Sequence, residues 1–134
     1  MRRLLDTNAY VELLKGDDAV ANSVRAAEQL VFSTVVVGEL LFGFRNGSRY
    51  DKNLAMLDEF LNQPWVVLQV VTRTTADRFG RIAAGLRKAG TPIPTNDIWI
   101  AAHALETGAE LITFDRHFDH VRGLPVTTLP RPAP

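Results

Sequence analysis

Cysteine is absent from the 134-residue sequence, so disulfide bonds and metal sites built on thiolates are excluded. An excess of charge is absent as well, because 15 Lys and Arg residues balance 15 Asp and Glu residues. Any contact with nucleic acid therefore has to come from a local basic patch. No hydrophobic run approaches the roughly 18 residues that a membrane-spanning helix needs, and the stretch before Asp6 is too short for a signal peptide. We expect a globular, cytoplasmic protein without a membrane partner.

Several familiar catalytic and metal-binding motifs are also missing. Zinc sites use several nitrogen or sulfur ligands at short spacings, whereas His117 and His120 form only a pair and His103 stands alone. No glycine-rich phosphate loop ending in Lys-Ser or Lys-Thr occurs, which argues against a nucleoside triphosphatase. The serines lack the Gly-x-Ser-x-Gly context of a serine hydrolase. The chemistry has to be sought in other residues.

Short apolar runs alternate with amphipathic segments along the whole chain. This pattern predicts the α/β class, a parallel sheet covered by helices on both faces. We expect a single domain over residues 1–129 and a Pro-rich tail over residues 130–134. The predicted strands cover residues 3–5, 30–33, 66–71 and 110–114, with a fifth within 125–129. The predicted helices cover residues 7–15, from 17 or 18 to about 29, 35–44 with Thr34 as cap, 51–62, 75–89 and 96–107.

Apolar side chains within these segments indicate which surfaces are buried. The run "VVLQVV" at residues 66–71 predicts a buried strand. In the helix that follows, the spacing of Ala76 and Ile82 places both on the inner face. Trp65 and Trp99 can stack on nucleobases, but we favour a role in the core or an interface for each of them.

Four acidic residues stand out by their positions. Asp6 follows the first predicted strand and Asp115 follows the fourth. Asp97 lies in the first turn of its helix, after the predicted N-cap Thr95. Each of these three also has a purely structural explanation, because Asp is favoured at N-caps and negative charge stabilises a helix N-terminus. The carboxyl ends of strands are nevertheless where open α/β sheets bind their ligands, so both interpretations stay open.

Glu39 is the fourth acid and the only charged residue between Glu28 and Arg45. Its neighbours on the predicted helix are Val35 and Phe42, and an unpaired buried carboxylate is costly. Its partner is either a distant basic residue or a cation shared with other acids, and we favour the cation. Mg²⁺ prefers oxygen ligands and can orient a phosphodiester, activate water and stabilise the leaving oxygen. These residues point to hydrolysis of a phosphate ester.

Three segments together resemble the PIN-domain ribonucleases, and among them the VapC-type toxins of bacterial toxin–antitoxin pairs. They are "LLDTNAYVELL", "STVVVGELLFG" and "TNDIWIAAHALETGAELITFDRHF", and in this order they cover nearly the whole chain. The resemblance implies a three-layer α/β/α fold around a parallel sheet of four or five strands. It also implies an endoribonuclease that uses Mg²⁺ or Mn²⁺ to cleave single-stranded or loop RNA.

The same resemblance implies roles for individual residues. Asp6, Glu39, Asp97 and Asp115 match the family's metal-site positions, so we interpret all four as catalytic. Asp6 and Asp97 are the first choices for direct metal ligands. Glu39 and Asp115 are expected to hold metal-bound waters or a second ion. Asp119 is a further acid four residues beyond Asp115, and we expect it to face solvent.

Small polar and basic residues complete the set of candidates. Thr7, Asn8 and Thr113 can hydrogen-bond to ligands or waters, although turn or strand-edge chemistry explains each of them at least as well. RNA also needs cations near its phosphates. The first candidates for contacts to the RNA backbone, against the alternative of an ordinary solvated loop, are Arg45, Arg49 and Lys52. A second basic group, which we interpret as a solvated helix face, consists of Arg78, Arg81 and Lys88.

VapC-like proteins form homodimers and are held inactive by a co-expressed antitoxin. The resemblance therefore implies a VapB-type antitoxin as partner, a homodimer and toxin–antitoxin hetero-oligomers. It places the antitoxin's C-terminal segment in a groove near "VVVGELLFGF" and residues 51–62. An Arg of that segment can pair with the same acids that a metal or substrate would engage.

Four other functions compete with a nuclease toxin. A PIN-like nuclease that processes RNA without an antitoxin shares the acids, and the presence of a small upstream reading frame would separate the two. A non-catalytic PIN-like module would lack at least one acid, and all four are present. A receiver-like signalling domain needs paired acids after the first strand and a Lys after a late strand, and the sequence has neither. An aspartyl-phosphate phosphatase needs Asp-x-Asp where this chain reads Asp6, Thr7 and Asn8.

Overall fold

Five short strands form one sheet in the computed structural model, which describes residues 1–134. The strands are β1 (Arg2–Leu5), β2 (Gln29–Ser33), β3 (Val66–Gln69), β4 (Glu110–Thr113) and β5 (Val126–Thr128). They lie in the order β3-β2-β1-β4-β5, and every neighbouring pair is parallel. The predicted α/β class, its parallel sheet and its fifth strand are confirmed.

Six helices and one 3-10 helix connect the strands. They are α1 (Thr7–Leu14), α2 (Asp18–Ala26), α3 (Thr34–Arg45), α4 (Tyr50–Leu61), α5 (Arg73–Ala89), α6 (Thr95–Thr107) and the 3-10 helix Arg116–His120. Parallel strands are joined by right-handed crossovers, so the connections running from β1 towards β3 place their helices on one face. The return from β3 to β4 places α5 and α6 on the other face. The result is the predicted three-layer arrangement.

The position of β1 at the centre of the sheet determines where a ligand can bind. The chain leaves β1 towards β2 on one side and returns to β4 on the other side. Adjacent crossovers therefore lie on opposite faces, which opens a crevice at the carboxyl ends of β1 and β4. Asp6 directly follows β1, and Asp115 lies two residues after the end of β4.

The core between α1, α4 and the sheet contains a cluster of aromatic rings. Tyr10, Phe32 and Phe60 contact one another edge to face, with ring centroids 5.2–5.4 Å apart. Trp65 extends the cluster through Phe60 at 5.8 Å. Such edge-to-face pairs contribute beyond the area they bury. On the opposite face of the sheet Trp99 stacks on a phenylalanine of α5 at 4.1 Å, so both tryptophans lie against other aromatic rings.

α6 is apolar on nearly all sides because it is covered twice. One side contacts the sheet and the other contacts α5, so Ile100, Ala101 and Ala104 are fully buried. Gly90 and Gly108 end α5 and α6 in the left-handed conformation, at φ values of 71° and 70°, which is the usual glycine C-cap. The predicted ends of these two helices, at residues 89 and 107, are confirmed.

Two predictions of burial are wrong. β3 is an edge strand that ends at Gln69, and Leu68, Val70 and Val71 are 45–53% exposed. An edge strand has a neighbour on one side only, and an apolar run does not reveal whether that is the case. Ala76 faces solvent instead of the core, because α5 begins at Arg73 and buries Thr75 instead.

The ends of several helices also differ from prediction. α2 stops at Ala26, so Gln29 belongs to β2. The N-cap of α3 is Ser33, whose side chain accepts a hydrogen bond from the amide of Val35, and α6 is capped by Pro94 instead of Thr95. These are shifts of one to three residues, as is common where several polar residues compete for a cap. None of the helices has the combination of length and hydropathy that crossing a membrane requires.

Candidate active site

The four predicted acids meet in one pocket of about 440 Å³ at the carboxyl ends of β1 and β4. No Lys, Arg or His is among the residues that line it, so the negative charges face one another across a common space. We call this site the acid pocket. Its lining residues are Asp6, Thr7, Asn8, Glu39, Pro94, Thr95, Asn96, Asp97 and Asp115.

Asp6 is the most buried of the four acids, with 6% of its surface exposed. Its Oδ1 accepts a hydrogen bond of 2.9 Å from the amide of Ala9 and caps α1, while Oδ2 accepts one from the hydroxyl of Thr113. Burial raises the pKa of Asp6 to about 6; these two hydrogen bonds oppose the rise, and the charges of Asp97 and Asp115 add to it. Asp6 is therefore both a helix cap and a perturbed carboxyl group in the pocket, so the two interpretations of this residue are compatible.

Asp97 lies in the first turn of α6 beside a histidine that the sequence did not single out. Nε2 of His117 is 2.8 Å from Oδ2 of Asp97, and Nδ1 is 3.3 Å from Oδ1 of Asp115. The first contact falls outside hydrogen-bonding geometry, and it is an ion pair when His117 is protonated. Burial raises the pKa of Asp97, His117 counteracts the rise, and the charges of Glu39 and Asp115 reinforce it.

Glu39 reaches the acid pocket from the middle of α3. Its Oε1 accepts a hydrogen bond from the hydroxyl of Thr7, and its Oε2 accepts one of 3.4 Å from the amide group of Asn96. No basic side chain forms an ion pair with Glu39. Of its two helix neighbours, Val35 packs against the core, whereas Phe42 is 70% exposed. This carboxylate is half-buried and shares the pocket with other acids.

The three auxiliary polar residues differ in what they contact. Thr113 is fully buried; its hydroxyl donates to Asp6 and accepts a hydrogen bond of 3.0 Å from the amide of Asp115. Thr113 thus fixes two acids at once. Thr7 positions Glu39, while Asn8 lines the acid pocket with its side chain bonded to no other residue.

The three basic candidates lie outside the acid pocket. The guanidinium of Arg45 lies 4.4 Å from the ring centre of Tyr50 and donates a hydrogen bond of 3.0 Å to its hydroxyl. Arg49 and Lys52 line a separate depression in the connection between α3 and α4. None of the three is paired with an acid. Their contact with RNA remains a prediction.

A second histidine links the two helices that carry Glu39 and Asp97. His103 is fully buried in α6; its Nδ1 lies 2.8 Å from the hydroxyl of Ser33, and its Nε2 lies 3.2 Å from the carbonyl of Val70. Burial lowers the pKa of His103, which keeps the ring neutral. In the tautomer that satisfies both contacts, Nε2 donates to the carbonyl and Nδ1 accepts from the hydroxyl. Because Ser33 caps α3, this contact holds α3 against α6.

The donor set of the acid pocket fits a hard divalent cation. Four carboxylates meet without a basic residue in the lining, and burial together with the neighbouring acids raises the pKa of Asp6 and of Asp97. As placed, no three acidic or histidine side chains surround a common point closely enough to hold an ion. Two of the carboxylates accept hydrogen bonds from hydroxyl groups instead: Glu39 from Thr7, and Asp6 from Thr113. Oxygen-only donors of this kind match Mg²⁺ and Mn²⁺ better than softer ions.

Comparison with known proteins finds relatives that match nearly the whole chain. A sequence model described as the PIN domain matches residues 3–124. "Ribonuclease VapC2" of Haemophilus influenzae is 31% identical over 127 residues, which cover 92% of this chain and 95% of that relative. VapBC-1 from nontypeable Haemophilus influenzae superposes with a TM-score of 0.84 at 28% identity, covering 96% of this chain and 98% of the other. VapBC2 from Rickettsia felis, bound to a DNA fragment from their promoter, gives the same TM-score and coverage at 25% identity.

Proposed function

Because the chain belongs to the PIN domain family, as one of its VapC ribonucleases, we propose that it is the ribonuclease toxin of a VapBC-type toxin–antitoxin pair. Its reaction is the hydrolysis of phosphodiester bonds in single-stranded or loop RNA, with Mg²⁺ or Mn²⁺ as cofactor. The observation that carries the proposal is the meeting of Asp6, Glu39, Asp97 and Asp115 in a pocket whose lining has no basic residue. A phosphodiester cannot approach four carboxylates unless a cation compensates their charge.

The residues of the acid pocket divide the work of holding the cofactor. Asp6 and Asp97 would be the direct ligands of the divalent ion, because both carboxylates line the acid pocket and both are more buried than that of Asp115. Glu39 and Asp115 would hold waters of the bound ion or a second ion. When bound, the divalent ion supplies the charge that orients the phosphate, activates water and stabilises the leaving oxygen.

The neighbours of these acids hold them in place. The hydroxyl of Thr113 bonds both to the carboxylate of Asp6 and to the backbone amide of Asp115. It therefore holds the end of β1 next to the end of β4. Thr7 and Asn96 orient the carboxylate of Glu39 from α1 and α6. His117 lies between Asp97 and Asp115 and limits their mutual repulsion. Such outer contacts determine ligand orientation in metal sites.

The proposed partners follow from the same family membership. Solved relatives are complexes of a VapC with a VapB, and we assign this chain a VapB-type antitoxin that binds along α3 and α4. Phe42 on α3 and Met56 on α4 are 70% and 38% exposed, which suits an apolar segment of a partner. A basic side chain of that segment would enter the acid pocket and block it. The toxin acts as a homodimer in the cytoplasm, and its complexes with antitoxin are hetero-oligomers.

The proposed activity is tested with the chain purified free of antitoxin. We expect cleavage of single-stranded RNA in Mg²⁺ or Mn²⁺, complete loss of cleavage in EDTA, and recovery when the ion is added in excess. The readout is the appearance of new RNA termini on a denaturing gel. The control is the Asp6→Asn variant purified in the same way, which reports contaminating nuclease. Cleavage that persists in EDTA, or that equals the control in Mg²⁺, contradicts the proposal.

His117 gives a second prediction, which concerns pH. Its charge lowers the pKa of Asp97, so His117→Gln raises the pKa of Asp97. At any given acidic pH, more Asp97 is then protonated and unable to bind a cation. We expect the acidic limb of the pH–rate profile to move to higher pH, with a smaller change on the alkaline side.

The matched control for this experiment is His120→Gln on the same 3-10 helix. His120 is exposed and contacts none of the four acids, so its variant should keep the wild-type profile. Cleavage rates are measured at saturating RNA so that differences in RNA affinity do not affect them. An unchanged acidic limb in His117→Gln would show that His117 does not control Asp97.

A further inference from the structure

A second groove lies at the end of the 3-10 helix that is farther along the chain from Asp115 of the acid pocket. Its volume is about 720 Å³, and it runs between α5, the end of α6 and residues 120–122. Its rim is formed by Arg78, Arg81, Lys88 and Arg122, and its floor includes Ile82 and Leu86. No Asp or Glu is among the lining residues. We call it the basic groove.

The cations of the basic groove are largely free of partners within the chain. Arg81 pairs with Asp77 on its own helix at 3.0 Å. Arg78, Lys88 and Arg122 form no ion pair and no side-chain hydrogen bond with the rest of the chain. In a chain whose charges cancel overall, three free cations and no acid in one groove produce a local positive potential that suits a polyanion.

The basic groove is close to the acid pocket along a short piece of chain. The 3-10 helix Arg116–His120 begins directly after Asp115 of the acid pocket and ends at His120 of the basic groove. Five residues of 3-10 helix span about 10 Å. Arg78 and Lys88 lie ten residues apart on α5, or about 15 Å along its axis, which matches the rise of about four stacked nucleotides.

We propose that the basic groove binds the phosphates of the RNA strand where it extends away from the acid pocket. This inference rests on the proposed ribonuclease activity, and it names the surface that holds the substrate. The acid pocket repels RNA, so binding energy has to come from cations outside it. The apolar floor offers a surface to ribose and base edges between the phosphate contacts. The proposal replaces the interpretation of Arg78, Arg81 and Lys88 as an ordinary solvated face.

The test measures RNA binding separately from cleavage. All variants carry Asp97→Asn, which prevents hydrolysis, and the probe is a fluorescein-labelled single-stranded RNA of mixed sequence read by anisotropy without added metal. The groove variant is Arg78→Gln with Lys88→Gln. We expect its affinity at low salt to fall about tenfold and the slope of log Kd against log salt to fall by about 0.7 for each lost phosphate contact.

Two further pairs, each of one Arg and one Lys, make the comparison specific. Lys15→Gln with Arg25→Gln removes the same charge from α1 and α2, where both side chains have local partners, and should leave affinity and slope nearly unchanged. Arg49→Gln with Lys52→Gln tests the connection between α3 and α4. Equal losses in all three pairs would mean that only net charge matters, and a loss confined to the Arg49 and Lys52 pair would place the RNA there. Either result overturns the proposal.

Two remaining outcomes separate this inference from others. If the groove variant keeps RNA affinity but loses binding to the VapB-type antitoxin in calorimetry, the groove is a protein docking site and the proposal is wrong. If the chain without Asp97→Asn fails to cleave RNA in Mg²⁺ or Mn²⁺, the proposed function fails. The binding data then still show whether the groove holds RNA, so the two failures remain distinguishable.

Discussion

Replacing Asp97 with Asn is expected to lower the rate of RNA cleavage by at least about 100-fold, because the partners of metal ligands alone change affinity or activity by 10- to 100-fold and a direct ligand contributes more. The substitution keeps the size of the side chain and removes its charge. Asp97 is half-buried in the first turn of α6 and caps nothing itself, so the helix does not depend on its carboxylate. The measurement is the single-turnover cleavage rate in saturating Mg²⁺ or Mn²⁺.

Asp119→Asn is the matched control for this loss of activity. Asp119 is an exposed acid on the 3-10 helix next to the site, as the sequence predicted, and it does not line the acid pocket. Its variant should cleave RNA at the wild-type rate. Circular dichroism should show an intact fold in both variants. If Asp97→Asn retained cleavage within a few-fold of wild type, Asp97 would have no part in the mechanism.

Asp6→Asn is expected to stabilise the metal-free chain at neutral pH while it abolishes cleavage. The pKa of Asp6 rises from 3.8 to about 6 on folding, so the folded state holds its proton more tightly than the unfolded state. Wild-type stability therefore falls as pH increases from about 4 to 6, and the full penalty applies above pH 6. The rise corresponds to up to about 3 kcal/mol. Asn carries no charge, so it escapes this penalty.

The stability prediction is read from urea denaturation in EDTA at several pH values. The difference in the free energy of unfolding between Asp6→Asn and wild type should be small near pH 4, grow up to about pH 6 and stay constant above it. Asn can still accept from the amide of Ala9 and donate to Thr113, so the contacts of the carboxylate are conserved in number. If Asp6→Asn is less stable than wild type at pH 8, the prediction is wrong. The hydrogen bonds from Ala9 and Thr113 would then stabilise the charged carboxylate by more than its burial destabilises it.

The meeting of the four acids could be predicted from the sequence because parallel strands impose it. Once Asp6 and Asp115 follow strands of one parallel sheet, they have to lie at the same edge. The order of helices and strands then brings the start of α6 to this edge as well. Glu39 was identified by a different signal, a single charge in an apolar helix, although that signal did not reveal that its neighbour Phe42 is exposed.

His117 and His103 could not be predicted because their roles depend on tertiary distances. His117 follows Asp115 by two residues, and only the turn of the 3-10 helix brings its ring back to Asp97 on another element. His103 looked like an isolated residue on an apolar helix. Its partners Ser33 and Val70 belong to β2 and to the chain after β3, and no local pattern connects them. The only sequence pattern that could single out either histidine is the ligand spacing of a zinc site, and the histidines do not match that spacing.

The basic candidates also show that residues brought together only by tertiary structure cannot be recognised from the sequence. A run of nearby cations, such as Arg45, Arg49 and Lys52, is visible in the sequence, whereas a groove assembled from α5 and residues near Arg122 is not. The exposed face of β3 is another case. Its valines and leucine predict a strand correctly, but they do not specify that the strand lies at the edge of the sheet, because that depends on which strand is last in the spatial order.

The hydrogen bond between Thr113 and Asp6 joins residues 107 positions apart, and it has a consequence for synthesis of the protein in the cell. β1 emerges from the ribosome first, yet its neighbour β4 is made almost last. A chain interrupted before β4 lacks Thr113 and Asp115, and it cannot form the pocket however well its first half folds. Translation products that end before β4 therefore lack the acid pocket, and only a finished chain can assemble it.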